Sequence, residues 1–413
     1  MRGRARDFII ISFLSALSVR LVLLLLGILS IQDYGSSFFL FDDVEYDAIA
    51  NEIAAAISNG TDGFITGYSR GFPNPAYFNL GGFTYHYLGF DTFSMRILNV
   101  LISCITVLQL YKLTQENISE KVARRTLVLY TILPMISIYS GLQIKDIFVN
   151  FFLVCCLLHV LRIVRKSYNL WDLVLPLLYL VILWFFRRDL TAAFASFIAI
   201  TLLIFRNPKL PPLTGFYQYW KVAFVAIMLA FLLSLIILNT ELGETLLWSI
   251  EFMYSTQTGF MDDAGVGASN ILRVASLKDV YKIPFAMAFM VLSPLPGSIE
   301  LITRVDVLPF YHSIGNIFSL LIFPFVIVGF LELPKYLRSL AQDMLLRWFP
   351  LSLWLIVSIL NLGSVRYSLT IWIFCAMSAA VGLNHLKNFK FLFLVYFLSL
   401  VILLPFVYYM LYF

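Results

Sequence analysis

The chain has 413 residues and a formal net charge of +5; 61% of its residues are hydrophobic and only 13% are charged. A soluble globular protein is about half apolar and about a quarter charged, so most of this chain cannot face water. Soluble enzymes, disordered chains, collagen and disulfide-rich secreted folds are excluded; the composition predicts an all-α polytopic transmembrane bundle of about 11 to 13 spans at about 20 residues each.

In chain order, Arg2, Arg4 and Arg6 precede an apolar run from Phe8 to Ile31. That run is too long for a signal-peptide core and carries no small-residue cleavage site, so it reads as a retained first span. Arg20 lies mid-span, where a charge is costly and is expected to pair within the bundle. Residues 32–91 form a long loop. It opens on Phe41-Asp42-Asp43-Val44-Glu45-Tyr46-Asp47. Tyr46, Ile49, Ala50, Ile53 and Ile57 recur at spacings of three and four, which predicts an amphipathic helix with Asp43, Asp47 and Asn51 opposite the stripe and an end at Asn59-Gly60. The aromatic stretch 75–90 reads as lying at the outer membrane surface.

Further apolar runs follow at 92–112, 123–140, 146–165, 172–186, 190–206, 221–239, 313–332, 346–362, 367–384 and 391–411. A proline-broken stretch, 283–296, reads as interfacial or re-entrant. With a cytoplasmic N-terminus, the short inner loops collect Lys121, Arg124, Arg125, Arg162, Arg165, Lys166, Lys335, Arg338, Lys387 and Lys390, and acids gather outside, as the positive-inside rule expects. Residues 240–312 form a second large outer loop bearing Glu241, Glu244, Glu251, Asp262 and Asp263. The chain thus reads as one integral-membrane domain, 1–413, with two large extracytoplasmic loops. The charge pattern explains the net charge without a nucleic-acid partner. Cys104, Cys155, Cys156 and Cys375 lie in apolar runs, and no Cys/His spacing reads as a disulfide or zinc site.

Asp42 with Glu45 matches a capping box, and acids suit a helix start. Capping does not account for Asp42, Asp43, Glu45 and Asp47 crowded together, because like charges so close repel. Acid-x-x-Tyr-x-x-Ile-Ala in the first outer loop, formed by Asp42, Asp43, Tyr46, Ile49 and Ala50, resembles the GT-C-fold glycosyltransferases that use polyprenyl-phosphate-linked sugars. That superfamily includes the protein O-mannosyltransferases, the lipid A aminoarabinose transferase and the oligosaccharyltransferase catalytic subunit. Other segments agree with the resemblance: Pro75-x-Tyr77 through Gly89-Phe90, Arg96 opening the second span, Gly141 through Asp146 in the next outer loop, Ser293-Pro294-Leu295-Pro296, and Val365-Arg366-Tyr367-Ser368-Leu369.

The resemblance implies a GT-C-like bundle with amphipathic juxtamembrane helices and transfer of a sugar from a polyprenyl-phosphate or polyprenyl-diphosphate donor to an acceptor hydroxyl on the extracytoplasmic face. The expected partners are that donor, a glycan or lipid-linked acceptor and membrane lipids; the expected setting is a bacterial inner membrane, with a role in cell-surface glycan or lipopolysaccharide assembly. An anionic lipid-phosphate donor calls for cations on its phosphate and for a carboxylate to take the acceptor's proton. Asp42 and Asp43 are the candidate catalytic acids. Lys145, Arg187, Arg188 and Arg366 are the candidate phosphate ligands, because they stand at outer ends of spans against the charge rule, and Arg suits phosphate geometry. Tyr46, Asp146 and Tyr367 are candidate substrate contacts. Paired acids can hold Mg or Mn through oxygen ligands, so a divalent cation is possible while none is required. Two other readings are an O-antigen or exopolysaccharide polymerase and a lipid-linked sugar flippase. Transporters usually carry repeats and midplane polar groups, whereas here the polar groups gather at one face.

Overall fold

A computed structural model describes residues 2–34, 41–61, 75–89, 91–204, 307–360, 369–391 and 393–398. Among them every regular element is helical. In chain order these are α1 (Arg2–Tyr34), α2 (Phe41–Ser58), α3 (Ala76–Leu88), α4 (Asp91–Asn117), α5 (Glu120–Ile132), α6 (Pro134–Ser140), α7 (Asp146–Val164), α8 (Leu170–Phe186), α9 (Arg188–Ile204) and α10 (Val307–Glu332). A 3₁₀ turn (Leu333–Tyr336), a short α11 (Leu340–Asp343) and a π-helical segment (Met344–Trp348) lead into α12 (Phe349–Leu360), and α13 (Leu369–Gly382) follows.

Among the described residues four stretches are long and apolar enough to cross a membrane: Arg6–Leu26, Phe93–Asn117, Asp146–Val164 and Ile317–Tyr336. The α5–α6 pair adds a fifth if it is one broken span, bent by 59°; Pro134 at the first position of α6 explains the break, since it removes a backbone donor. α8, α13 and Leu190–Leu203 within α9 are shorter apolar helices. The chain is an integral membrane protein, but the described residues do not reach the expected eleven to thirteen crossings; 221–239 and 283–296 lie outside them. α3 has only 13 residues, a rise of about 20 Å, too short for a hydrocarbon core of about 30 Å.

α4 stands at the middle, packed against α1, α5 and α7. The stops and starts follow local chemistry. Ser119 caps α5 by accepting from the Val122 N–H at 3.3 Å. Asn169 and Asp172 form a reciprocal capping box at the start of α8. At this end of the bundle Glu116 of α4 binds Arg162 of α7 (2.5 Å) and Arg165 just past its end (2.6 Å), and Arg162 also meets Asp172 of α8 at 3.1 Å. The cluster ties three helices where the basic loops fall. Arg20 is fully buried; it donates to Ser103 Oγ (2.9 Å) and to the Ala16 carbonyl (3.2 Å), so among the described residues its partners are neutral oxygens and not a carboxylate. All four cysteines are free and buried.

Two glycines set a close crossing of α10 and α13. A Cβ on Gly329 of α10 would fall well under 3.0 Å from the Ser378 carbonyl of α13, and one on Gly382 would meet the Phe325 carbonyl. Small residues let backbones approach this closely, which is a main source of helix affinity in lipid. Gly329→Ala is therefore expected to destabilise the bundle by about 3 kcal/mol or more, at or beyond the upper end of ordinary overpacking, because the obstacle is backbone and cannot rotate away. Thermal unfolding in detergent checks this; an unchanged Tm would mean that the crossing is not closed.

Candidate active site

The site grows from the α2–α3 hairpin. Four of the five residues of the stripe expected on α2 are buried, Tyr46, Ile49, Ala50 and Ile53 each at most 5% exposed, and Ile57 is partly buried. They meet α3 at Gly81 and Gly82, where an added Cβ would strike Ala50 and Ile53. Gly89, with φ 66°, ends α3 in the left-handed conformation that suits glycine. Asp42 and Asp43 open α2, one turn ahead of buried Tyr46.

Tyr46 stacks on Phe78 (4.6 Å between ring centres) and meets Tyr77 edge-on at 5.3 Å. Tyr77 in turn meets Phe148 of α7 (5.7 Å) and Phe186 of α8 (6.3 Å), and these two rings stack at 5.5 Å. This aromatic chain brings the hairpin to the start of α7 and the end of α8. There Asp146, the first residue of α7, accepts a hydrogen bond from Arg187 at 3.0 Å, and both are buried. Lys145 and Arg188, the chain neighbours of that pair, are partly exposed. α7 has 19 residues and rises about 28 Å, so the Asp146–Arg187 corner and the Glu116–Arg162 cluster mark opposite ends of one span.

Hydrogen bonds fix the loop between α6 and α7. Asn99 of α4 donates its carboxamide to the carbonyls of Leu142 and Ile144 (3.0 Å to the latter), and Tyr77 donates to Asn99 Oδ1 at 3.2 Å. The Tyr85 hydroxyl lies 2.5 Å from Asp47 Oδ1 and 2.7 Å from the Gln143 carboxamide oxygen. One hydroxyl proton serves one acceptor; when Tyr85 donates it to the Asp47 carboxylate, the Gln143 amide satisfies this contact by turning its N–H toward the hydroxyl. Burial first, then the neighbouring Asp47 carboxylate, push the Tyr85 hydroxyl above its ordinary range, so it stays protonated.

Asp47 is a correction to the sequence reading. It was expected on the polar face, but α3 lies along α2 and Tyr85 reaches back to it, leaving Asp47 half-buried. Tyr85→Phe removes a hydrogen bond to a charged group and is expected to cost about 1.5–3 kcal/mol. Its Tm should fall while Tyr77→Phe, which loses a neutral bond, falls less; equal shifts would remove Asp47 from the argument.

The structure thus brings together Tyr46, Lys145, Asp146, Arg187 and Arg188 at one end of the bundle, with the backbone of Asp42 and Asp43 on the adjoining helix. Arg366 and Tyr367 lie outside the described residues. Arg96 is buried near the start of α4. The residues to which sequence reasoning gave no role are Tyr85, Asn99 and Gln143, while Asp47 was placed only among the acids of the polar face; an asparagine inside an apolar run was the one available signal. Among the described residues no group of three or more His, Cys, Asp or Glu side chains is placed to hold a metal ion.

No protein-family model and no curated protein matches the sequence. Solved structures do. The chain is similar to the apo crystal structure of the Archaeoglobus fulgidus oligosaccharyltransferase, with a TM-score of 0.53 and 15% identity over 96% of this chain and 52% of that one. Also similar are the Archaeoglobus fulgidus oligosaccharyltransferase AglB in complex with an inhibitory peptide and a dolichol-phosphate (TM-score 0.46, 14% identity, 96% and 52% covered) and the oligosaccharyltransferase of that organism in complex with Zn and sulfate (0.44, 16%, 96% and 51%). The chain spans about half the length of the proteins it matches. The likeness to the apo enzyme is one of fold.

Proposed function

We propose that this protein is an integral-membrane glycosyltransferase that moves a sugar from a polyprenyl-phosphate or polyprenyl-diphosphate donor to an acceptor hydroxyl at the extracytoplasmic face, in cell-surface glycan or lipopolysaccharide assembly. The observation that carries the reading is the corner itself: the acid-bearing start of α2 is packed, through Tyr46, Tyr77 and Phe148, against the end of the bundle that holds Lys145, Asp146, Arg187 and Arg188.

In this reading one of Asp42 and Asp43 takes the acceptor's hydroxyl proton. The acceptor oxygen then bonds to the anomeric carbon, and the bond from that carbon to the phosphate oxygen breaks. Its electron pair leaves on the polyprenyl phosphate, where Lys145, Arg188 and Arg366 offset the charge. The Asp146–Arg187 pair holds the start of α7 against the end of α8, so the cations beside it keep their places. Tyr46 and Tyr367 border the sugar. Mg or Mn, where the reaction uses one, would be held by the acids at the start of α2 and would add positive charge at the phosphate.

The test uses the full chain in nanodiscs with polyprenyl-phosphate and polyprenyl-diphosphate sugars labelled in the sugar. Transfer to an added acceptor with release of the polyprenyl carrier supports the reading. Movement of intact donor across a vesicle membrane without cleavage would replace it with a flippase, and extension only of lipid-linked oligosaccharides would replace it with a polymerase. Lys145→Ala should weaken donor binding by about 1.5–3 kcal/mol, the worth of one charge-assisted bond, and Lys145→Arg should restore part of it; an unchanged donor KM would make Lys145 a surface anchor.

A further inference from the structure

At the opposite end of the bundle, α10, α12 and α13 do not close on one another. The Gly329–Ser378 and Gly382–Phe325 contacts draw α10 and α13 together, while the π-helical segment Met344–Trp348 adds width to the entry of α12. A cavity of about 200 Å³ remains between the three, and its lining is almost wholly apolar. Phe323 and Trp354 stand edge-to-face at one end, 6.1 Å between ring centres, and Cys375 lines it from α13. At the other end Arg347, paired with buried Asp343 at 2.5 Å, lies over the rings of Phe330 and Trp348. The cavity is not sealed: Ile327 and Leu331 on its rim are exposed.

The exposed charges beyond Leu331 are basic, and Lys335 shares its charge with Glu332 beneath it. Lys335, Arg338, Lys387 and Lys390 are exposed there, whereas the acids of the same two segments, Glu332 and Asp343, are buried. The two segments are joined: Tyr336 and His385 share a hydrogen bond of 3.1 Å, and Glu332 bridges Lys335 (2.5 Å) and His385 (3.4 Å). Exposed cations therefore cluster where an apolar groove opens on the lipid-facing surface of membrane helices. Dry apolar cavities exclude water, and basic groups flanking membrane helices attract anionic headgroups at about 1 kcal/mol per charge.

From this juxtaposition we infer that the α10–α12–α13 groove is a binding site for an anionic phospholipid, with an acyl chain in the groove and the phosphate against Lys335, Arg338 and Lys387. The charged rim lies at the Glu332 end of α10, whereas Thr370 at the other end of α13 bonds Asn150 of α7 at 2.9 Å, so the inference does not rest on the transfer reaction.

The test uses the full chain in phosphatidylcholine nanodiscs with increasing fractions of phosphatidylglycerol brominated in its acyl chain, and reads tryptophan fluorescence. Subtracting the signal of Trp354→Phe isolates the tryptophan that lines the groove. Quenching of that component is expected to saturate at a several-fold lower fraction of brominated phosphatidylglycerol than of brominated phosphatidylcholine. The triple variant Lys335→Gln, Arg338→Gln, Lys387→Gln should abolish that difference, and Cys375→Phe, which fills the groove, should abolish the Trp354 component. Equal saturation by the two lipids, or a preference that survives the triple variant, overturns the proposal. The triple variant alters only exposed positions, so it decides the question even if Cys375→Phe fails to fold.

Discussion

Replacing Asp42 or Asp43 by Asn is expected to yield a stable, normally expressed protein with a turnover reduced by about 10²- to 10⁴-fold, the usual worth of a general base. The two residues open α2, whose buried side is already fixed against α3 by Tyr46, Ile49, Ala50 and Ile53. That anchoring does not depend on the acids. Asn caps helices about as well as Asp, so a purely structural role predicts almost no loss from the amide, whereas Asn cannot take up the acceptor's proton. The amide substitution therefore separates the two roles in a way that Ala would not. Glu45 is exposed one helical step on, and Glu45→Gln should be much milder. Turnover per folded molecule, alongside Tm, is the measurement. Normal turnover in the double Asn variant would leave the acids as a helix start and nothing more.

The sequence was informative where one period or one charge rule dominates. The register of α2 was legible because Tyr46, Ile49, Ala50 and Ile53 repeat at helical spacing, and those residues form its buried side. The failure of 75–90 to span was legible from charge, and α3 is too short to cross. Asp47 was misplaced because a helical wheel knows only its own helix: its polar side is polar until a second helix lies along it. The Gly81-Gly82 notch that admits α3 reads in sequence as two flexible residues, not as a docking surface. Asn99 stands out as an asparagine inside an apolar run, but its acceptors do not: they are the carbonyls of Leu142 and Ile144, and backbone acceptors leave no mark in a sequence. Candidate cations were found by breaking the charge rule, but that rule cannot say that Asp146 is committed to Arg187, 41 positions away.

That commitment sets the second large expected effect. Asp146→Ala and Arg187→Ala should each destabilise the protein by about 3–5 kcal/mol, the usual cost of breaking a buried ion pair, because both side chains are buried and the bond between them is lost. The double variant should recover much of that loss. A buried pair replaced as a whole removes both desolvation costs, and residues in direct contact couple by about 0.5–3 kcal/mol. Activity should not follow stability. In the proposed reaction the pair holds Lys145 and Arg188 at the donor phosphate, so the double variant should be folded yet poor in donor binding, with its KM raised more than its kcat is lowered. Thermal unfolding and donor titration on all three variants read the two effects separately. A double variant that regains both Tm and donor KM would reduce the pair to a helix clamp and move the phosphate site away from the start of α7. A double variant no more stable than either single one would show that the two charges do not hold each other, and the geometry of the corner would need to be redrawn around Lys145 and Arg188 alone.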